Sequence, residues 1–426
     1  MNHEPDICEP ACMSTLTNED EARRTAEAVA RRSYGKLVAF LAARTRDLAS
    51  AEDALSEAFA AALSTWPQNG CPANPEAWLM TVAHRKIIDM VRRHLHDEPI
   101  EPHDFAETLT IPAQEQSIPD SRLALMFVCA HPAIESGIRT PLILQTVLGL
   151  DAKAIASAFL TSPAAMGKRL VRAKDKIRLA GIPFRVPERE ELSARLATVL
   201  DAIYAAFTDG WSDASGTDAQ RRDLAEESLY LARIIVELLP EEPEAQGLLA
   251  LMLHAEARRH ARRTAEGSFV PLAEQDTSLW DERMIVEAET LLHRAGAMGS
   301  IGRYQLEAAL QSAHVYRCCT GHKNWPDVVQ LYDALFELTG SPVVAINRAL
   351  AIAELQGAEA ALGAMPDPAN DARLVEYQPY WAAHAELLAR TGAHIEARHS
   401  YEIAIGLERD PAVRRFLQRR QAALVP

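Results

Sequence analysis

The chain has 426 residues, of which 48% are hydrophobic and 6% aromatic, and its formal net charge is −15. This length accommodates about two or three domains with full hydrophobic cores. Alanine, leucine, arginine and glutamate dominate and β-branched runs are few, so the composition favours an all-α protein. The net charge, taken over the whole chain, argues against nucleic-acid binding.

The charge is unevenly distributed along the chain. Residues 1–185 hold 21 lysines and arginines against 23 acidic residues, whereas residues 186–426 hold 23 against 36. The N-terminal part is therefore nearly neutral, with local basic strips, and the acidity lies in the C-terminal part. We expect the two parts to have different roles.

No segment has the roughly 18–20 consecutive apolar residues of a membrane span, and no signal peptide precedes the first predicted helix. We therefore expect a cytoplasmic protein without membrane contact. Cys8 and Cys12, with His3 nearby, are spaced like half of a metal site, but no second ligand pair follows at a zinc-site spacing. The sequence predicts no metal and no cofactor.

After a polar tail (1–20), two amphipathic helices are predicted over 22–46 and 48–66. The second helix has an apolar face that we expect to point inward and a polar face that we expect to point outward. The inward residues are Ala51, Leu55, Ala58, Phe59 and Ala62. The outward residues are Glu52, Asp53, Ser56 and Glu57.

A turn-rich loop over 67–75 precedes a third helix, for which Asn74 is the predicted N-cap and Pro75 the first residue. Its predicted inward residues are Trp78, Val82 and Ile88. A basic strip on its outer face comprises His84, Arg85, Lys86, Arg92 and Arg93.

Residues 150–181 predict two short helices joined by a tight turn. The first carries Ile155 and Phe159 on one face, and the second begins at Pro163 with Ser162 as its N-cap. The second helix is expected to bury Met166, Leu170, Ala173 and Ile177. Its other faces carry Lys168, Arg169, Arg172, Lys174, Lys176 and Arg178. A capped N-terminus with small residues and a basic flank suits the DNA major groove, although a solvated surface helix has the same pattern.

The segment Ala51-Glu-Asp-Ala-Leu-Ser-Glu-Ala-Phe59, with Ala77-Trp78-Leu79 and residues 88–93, resembles region 2 of extracytoplasmic-function sigma factors. The resemblance implies that Glu52, Asp53, Ser56 and Glu57 bind the clamp helices of the β′ subunit of core RNA polymerase. It further implies contacts to the −10 promoter element from Asn69, Asn74, His84, Arg85, Lys86, Asp89, Arg92 and Arg93. Ser56 stands where the family commonly has glutamine, and Arg85 where many members have asparagine.

The proline-rich, acidic residues 96–120 predict a linker. Residues 120–185, with helices expected over 120–130 and 136–148, are similar to region 4, which binds the −35 element and the polymerase β flap. That similarity implies −35 contacts from Ser162, Ala164, Ala165, Lys168, Arg169, Arg172 and Lys174. We divide the chain into region 2 (21–96), linker (97–119), region 4 (120–185) and a helical extension (186–426). The sequence here is similar to a subgroup of these sigma factors that carry a long C-terminal extension.

Promoter melting requires surfaces that hold unstacked bases beside a basic groove. The candidates are Trp66, the loop 69–74 and the strip 84–93. Core packing is the alternative for Trp66 and, more strongly, for Trp78, which lies on an apolar helical face.

The extension is predicted to be helical throughout and to contain repeats over 302–410. Gly321, Gly357 and Gly392 are spaced 36 and 35 residues apart, each between two helical segments. The last unit fits the tetratricopeptide (TPR) pattern at Trp381, Ala385, Leu388, Gly392, Ala397, Tyr401 and Ala404.

One segment of the extension outside the repeats, residues 269–281, groups polar and aromatic residues. Gln275, Asp276, Trp280 and Asp281 form either a ligand or partner pocket or a buried polar network that fixes a loop.

Nucleophile-elbow, Walker, dinucleotide-binding and zinc-protease motifs are missing from the sequence, so we expect no enzyme. The favoured hypothesis is a sigma factor regulated by its extension. The alternatives are a helix–turn–helix regulator with a TPR-like sensor domain and, less favoured, an enzyme built in the C-terminal half.

Overall fold

The computed structural model describes residues 18–95, 121–159, 161–212 and 219–424. The described residues form helices, and their β-structure is limited to one isolated bridge between Arg263 and Phe269. The prediction of an all-α protein is therefore confirmed. The chain divides into two compact units, residues 1–202 and 203–426.

Several predicted features lie outside the described residues. They are most of the tail (1–20), the linker (97–119) and the Cys8–Cys12 pair.

The first unit begins with three helices that pack on one another. They are α1 (Asn18–Thr45), α2 (Leu48–Asn69) and α3 (Pro75–Leu95). The Asp47 side chain caps α2 by accepting hydrogen bonds from the amides of Ala49 and Ser50. Asn74 caps α3 as predicted, since its Oδ1 accepts from the Ala77 amide at 3.1 Å.

The core of these three helices is apolar and includes a tryptophan. Leu37, Leu41, Leu55 and Leu79 are fully buried, and Trp66 is 1% exposed. The Trp66 ring meets the ring of Trp78 edge-on, with centroids 5.4 Å apart. The hypothesis that Trp66 holds melted DNA is therefore wrong. Its helix continues through Pro67 to Asn69, so Trp66 lies inside α2 and faces the core.

The predicted inward faces of two helices need correction. Trp78, Val82 and Ile88 are only half-buried, and α3 instead buries a neighbouring set. That set comprises Leu79, Met80, Ala83 and Ile87. The reason is that α3 contacts both α1 and α2, which shifts its buried face. On α2, Phe59 is half-buried, whereas the other four predicted inward residues are buried.

Four further helices complete most of the first unit. They are α4 (Arg122–Cys129), α5 (Ser136–Thr146), α6 (Ala152–Ala158) and α7 (Pro163–Leu179). The last two form the predicted helix pair, with the Ser162 hydroxyl accepting from the Ala165 amide at 3.2 Å. Helix α7 buries Met166, Leu170, Ala173 and Ile177 as predicted. Phe159 is 40% exposed, because α6 ends at Ala158.

Helix α8 (Arg189–Ser212) contains the boundary between the units. The second unit continues with α9 (Ala219–Leu238), α10 (Pro243–Glu256), α11 (Glu282–Ala297), α12 (Arg303–Thr320) and α13 (Trp325–Thr339). It ends with α14 (Pro342–Gln356), α15 (Ala358–Ala364), α16 (Gln378–Thr391), α17 (His394–Leu407) and α18 (Pro411–Ala422). Short 3₁₀ turns occupy 259–262, 272–274, 277–279 and 372–374. None of the described helices combines the length and apolar character that a bilayer span requires.

Consecutive helices pack on one another from α12 to α18. Gly321 and Gly392 end α12 and α16 in the left-handed conformation, which glycine adopts without a Cβ penalty. Ala385, Tyr401 and Ala404, three of the predicted repeat positions, form one buried cluster with Leu417. The two alanines allow the helices to approach closely, while Tyr401 and Leu417 fill the space between them.

The contrast between Trp66 and Leu63 on α2 gives a stability prediction. Replacing Trp66 with alanine should lower the free energy of unfolding by about 3–5 kcal/mol, because it leaves a large cavity in the core. Leu63 is 50% exposed, so Leu63→Ala should change it by less than about 0.5 kcal/mol. Urea unfolding followed by circular dichroism measures both, and equal losses would contradict the assigned core.

A buried histidine in the second unit predicts pH-dependent stability. Burial, assisted by Arg258, lowers the pKa of His254 to about 4. A histidine in the unfolded chain has a pKa of about 6.5, so below that pH the unfolded chain takes up a proton that the folded protein does not. The folded protein therefore keeps its full stability above this pH and loses stability as the pH falls towards 4. Between pH 7 and 5 the His254→Leu variant should lose about 1–2 kcal/mol less stability than the wild type.

The matched control for this experiment is His399→Leu, because the His399 side chain is 73% exposed. Denaturant titrations at several pH values measure the slope. A slope that His254→Leu leaves unchanged would contradict the prediction.

Candidate functional site

The outer face of α2 carries the acidic residues that the sequence assigns to polymerase binding. Asp53 and Glu57 are exposed one turn apart, and Ser56 is exposed beside them. The Ser56 hydroxyl donates to the Glu52 carbonyl at 2.8 Å, so it is already engaged within the helix. The face therefore presents two solvent-accessible carboxylates to a partner.

Glu52 does not point freely outward, and that prediction is wrong. Its side chain is 15% exposed, and its Oε2 lies 2.6 Å from Nζ of Lys174 on α7, which is 13% exposed. The cause is the packing of α7 on α2. Burial raises the pKa of Glu52, and the Lys174 ammonium partly offsets that rise.

The strip on α3 has mixed charge. Arg85 and Asp89 are exposed and His84 is half-buried. Lys86 Nζ lies 2.8 Å from Glu57 Oε2, and both side chains remain about half exposed. The strip therefore adjoins the acidic face of α2.

Four residues assigned to the −10 element either give little information about DNA contact or have side chains outside the described part of the chain. Asn69 is exposed at the end of α2, and Asn74 already uses its side-chain oxygen as the α3 cap. The side chains of Arg92 and Arg93 lie outside the described part of the chain.

Helix α7 presents most of the residues assigned to the −35 element on an open face. Ser162, Ala164 and Ala165 are exposed in and before its first turn. Lys168 and Arg172 are exposed, while Arg169 pairs with Glu135 at 3.1 Å. Exposed cations along a helix with a capped N-terminus suit phosphate contacts, and the small side chains of its first turn permit close approach to base edges. Lys174 is the exception, since α2 encloses it.

The polar group in the second unit has mainly structural contacts. Hydrogen bonds from the Ser278 hydroxyl and, second, from the Ser278 amide lower the pKa of the Asp276 carboxyl. Asp281 caps α11 by accepting from the amides of Arg283 and Met284. Trp280 is 7% exposed and packs with Ala261, Val315 and their neighbours. Gln275 donates weakly to the Val270 carbonyl at 3.5 Å.

The second unit also contains a cavity of about 600 Å³ that sequence reasoning missed. Its polar lining includes Tyr204, Arg303, Glu307, Gln311, Tyr332 and Asn347. Burial and the neighbouring Glu307 raise the pKa of Tyr204 to about 12. These residues are dispersed over more than a hundred positions in sequence and belong to no motif, so no sequence signal indicated the cavity.

Within the described ranges, no group of three or more His, Cys, Asp or Glu side chains is placed to hold a metal ion. The geometry of the first unit instead provides charged and small-residue surfaces on α2, α3 and α7. Such surfaces recognise proteins and nucleic acids by complementarity.

Comparisons with known proteins agree with the geometry of the first unit. Residues 29–95, which span most of α1 and all of α2 and α3, match the family described as sigma-70 region 2. Residues 195–296 match a family of unknown function (DUF6596). No solved structure matches the chain.

A similar protein is known from Rhizobium meliloti (strain 1021), where it is described as uncharacterized. It is 38% identical over 369 residues, which cover 85% of this chain and 87% of the relative. The two proteins therefore share one architecture over most of their length. The chain belongs to the family of this rhizobial protein and is a sigma-70 family factor with a C-terminal helical extension that carries a DUF6596 domain.

Proposed function

We propose that this protein is a sigma factor of the extracytoplasmic-function type, extended at its C-terminus by TPR-like repeats. It binds the β′ clamp helices of core RNA polymerase through Glu52, Asp53, Ser56 and Glu57. Helix α3 contacts the −10 element, and α7 contacts the −35 element as the second helix of a helix–turn–helix, beside the β flap. The protein acts in the cytoplasm by binding, without catalysis and without a cofactor.

The observation that carries the proposal is the acidic face of α2 within the region 2 match. Asp53 and Glu57 are exposed on consecutive turns of a helix whose opposite face is fully buried. A buried apolar face fixes the orientation of the helix, so both carboxylates lie on the side that a basic partner can reach, where Glu57 also pairs with Lys86 of α3. Helix α7, which Ser162 caps and which is basic on its exposed side, supplies the contact to the −35 element, in addition to the contact of α3 with the −10 element.

The second candidate is a helix–turn–helix regulator that binds duplex DNA without acting as a sigma subunit. The geometry of α6 and α7 favours it equally, because such regulators use the same capped helix. A regulator of this kind has no use for the acidic face of α2. That face, within residues 29–95, is why we prefer the sigma factor.

Run-off transcription with core RNA polymerase, on the promoter upstream of the protein's own gene, tests the proposal. The wild type should initiate, and Asp53→Arg/Glu57→Arg should abolish initiation because the docking face becomes basic. The matched control is Glu237→Arg/Glu337→Arg, which reverses two exposed carboxylates of the second unit and should initiate like the wild type. Sequence-specific duplex binding without initiation by the wild type would contradict a sigma factor and favour the regulator.

The extension should regulate this activity. A chain that ends at Ala202, the last residue of the first unit, should differ several-fold from the full-length protein in run-off transcription. Increased initiation by the truncated chain would show that the extension inhibits transcription. Decreased initiation would show that transcription requires the extension. Equal initiation by both chains would contradict regulation by the extension.

A further inference from the structure

The polar cavity of the second unit has the size and the walls of a small-molecule site. Its volume of about 600 Å³ falls within the roughly 300–1,000 Å³ of most ligand pockets. Part of its lining is apolar, and Leu251, Leu310 and Leu335 are each at most 5% exposed. Apolar walls of this kind bury the carbon skeleton of a small organic molecule. The polar groups of the lining then determine which chemical class of molecule fits.

The carboxylate in this lining already has its partners. Glu307 Oε1 accepts a hydrogen bond from Nε of Arg303 at 2.7 Å, and the Glu307 side chain is 20% exposed. Burial and the charge of Glu307 raise the pKa of Tyr204 to about 12, and the Tyr204 hydroxyl donates to the same carboxylate. Since Arg303 and Glu307 carry opposite charges, the pair contributes little net charge to the cavity.

Gln311 presents a hydrogen-bond donor to the cavity, because Arg258 fixes the orientation of its amide. Nη2 of Arg258 lies 2.5 Å from Oε1 of Gln311. A guanidinium can only donate, so the amide oxygen faces Arg258 and the NH2 group remains for a ligand. Burial raises the pKa of Tyr332 to about 12, so its hydroxyl keeps its proton at neutral pH and is a second donor in the lining. Asn347, exposed on α14, adds an amide that can also donate.

Arg258, which lies behind Gln311, is a buried cation with neutral partners. It is 8% exposed. It also donates to the carbonyl of His254 at 3.1 Å, and its guanidinium lies 6.0 Å from the centre of the Trp280 ring. Burial lowers its pKa only to about 10, so it stays charged at neutral pH, and no described carboxylate forms an ion pair with it. A buried charge without an opposite charge is costly, so an anion nearby would stabilise Arg258.

Arg317 is a second cation beside the lining. Its Nη1 donates to Oδ1 of Asn324 at 3.1 Å. The carboxylate that acts on it from a distance, Glu354, is itself paired with Arg390 at 2.6 Å. The charge of Arg317 reaches the cavity, because it opposes the rise that burial causes in the pKa of Tyr332. The surroundings of the cavity are therefore rich in donors and in positive charge.

We propose that the cavity binds a small organic oxyanion, whose carboxylate or phosphate group accepts hydrogen bonds from Gln311, Tyr332 and Asn347. Arg258 and Arg317 attract this acidic group, and the leucine walls enclose the carbon skeleton. An uncharged molecule gains nothing from the two arginines, and a cation is repelled by them. The inference concerns the second unit alone, so it does not depend on whether the protein is a sigma factor.

Isothermal titration calorimetry of the full-length protein with two matched anions tests the site. Phenyl phosphate carries a phosphate ester on a benzene ring, phthalate carries carboxylates on the same ring, and benzyl alcohol is the uncharged control. At least one of the anions should bind at a single site with a Kd below about 1 mM. Benzyl alcohol should show no saturable binding up to about 10 mM. Binding of one anion alone identifies its acidic group as the one that the cavity accepts.

A change of charge without a change of shape assigns the binding to this cavity. Asn347→Asp adds a carboxylate to the lining, so it should weaken anion binding at least about tenfold through repulsion. The matched control is Asn370→Asp, which adds the same charge at an exposed position outside the lining. This control should keep the wild-type Kd.

Loss of one donor gives a second, uncharged test. Tyr332→Phe should weaken anion binding by about three- to tenfold, because it removes one hydrogen bond to the ligand. Its control is Tyr316→Phe, which changes a side chain that is 51% exposed and outside the lining. Circular dichroism should show that all these variants keep the wild-type helix content.

The outcomes decide the inference. Failure of both anions to bind would overturn it, and so would binding of benzyl alcohol that is as tight as that of the anions. Anion binding that Asn347→Asp or Tyr332→Phe leaves unchanged would place the anion elsewhere and would also overturn it. Binding that both lining variants weaken, and that both controls preserve, is the result that we expect.

Discussion

The packing of α7 against α2 determines which charged residues the first unit exposes, because it encloses Glu52 and Lys174. It joins the part of the chain that matches sigma-70 region 2 to the capped helix pair that follows. An ion pair this far removed from water must have good geometry to offset its desolvation, and loss of either partner leaves a buried charge. The contact therefore specifies one arrangement more than it adds stability.

The second unit is built differently, as a succession of helices packed on their neighbours. Several of its charged residues cap helices or form ion pairs. Asp281 caps α11, and Glu386 pairs with Arg420. The successive packing of α12 to α18 resembles a repeat array, in which each element is stabilised mainly by its neighbours. The polar cavity lined by Tyr204 and Glu307 lies outside the predicted functional residues.

The sequence predicted what local chemistry determines. The Ser162 and Asn74 caps, the four buried residues of α7 and the end of α16 at Gly392 follow from propensity and periodicity alone. Contacts distant in sequence were not predictable in this way. Glu52 was expected outside because α2 is amphipathic, but α7 covers it. Trp66 was placed at a helix end because Pro67 follows it, yet the helix continues and the ring is buried.

The central claim is that α2 docks on core RNA polymerase, and site-specific photo-cross-linking tests it most directly. Benzoylphenylalanine placed at Ser56, which is exposed on the acidic face, should cross-link to the β′ subunit when core polymerase is added. The same residue placed at Leu279, which is 51% exposed in the second unit, should give no β′ product. A cross-link from Ser56 to another subunit, or none while the complex forms, would contradict the account.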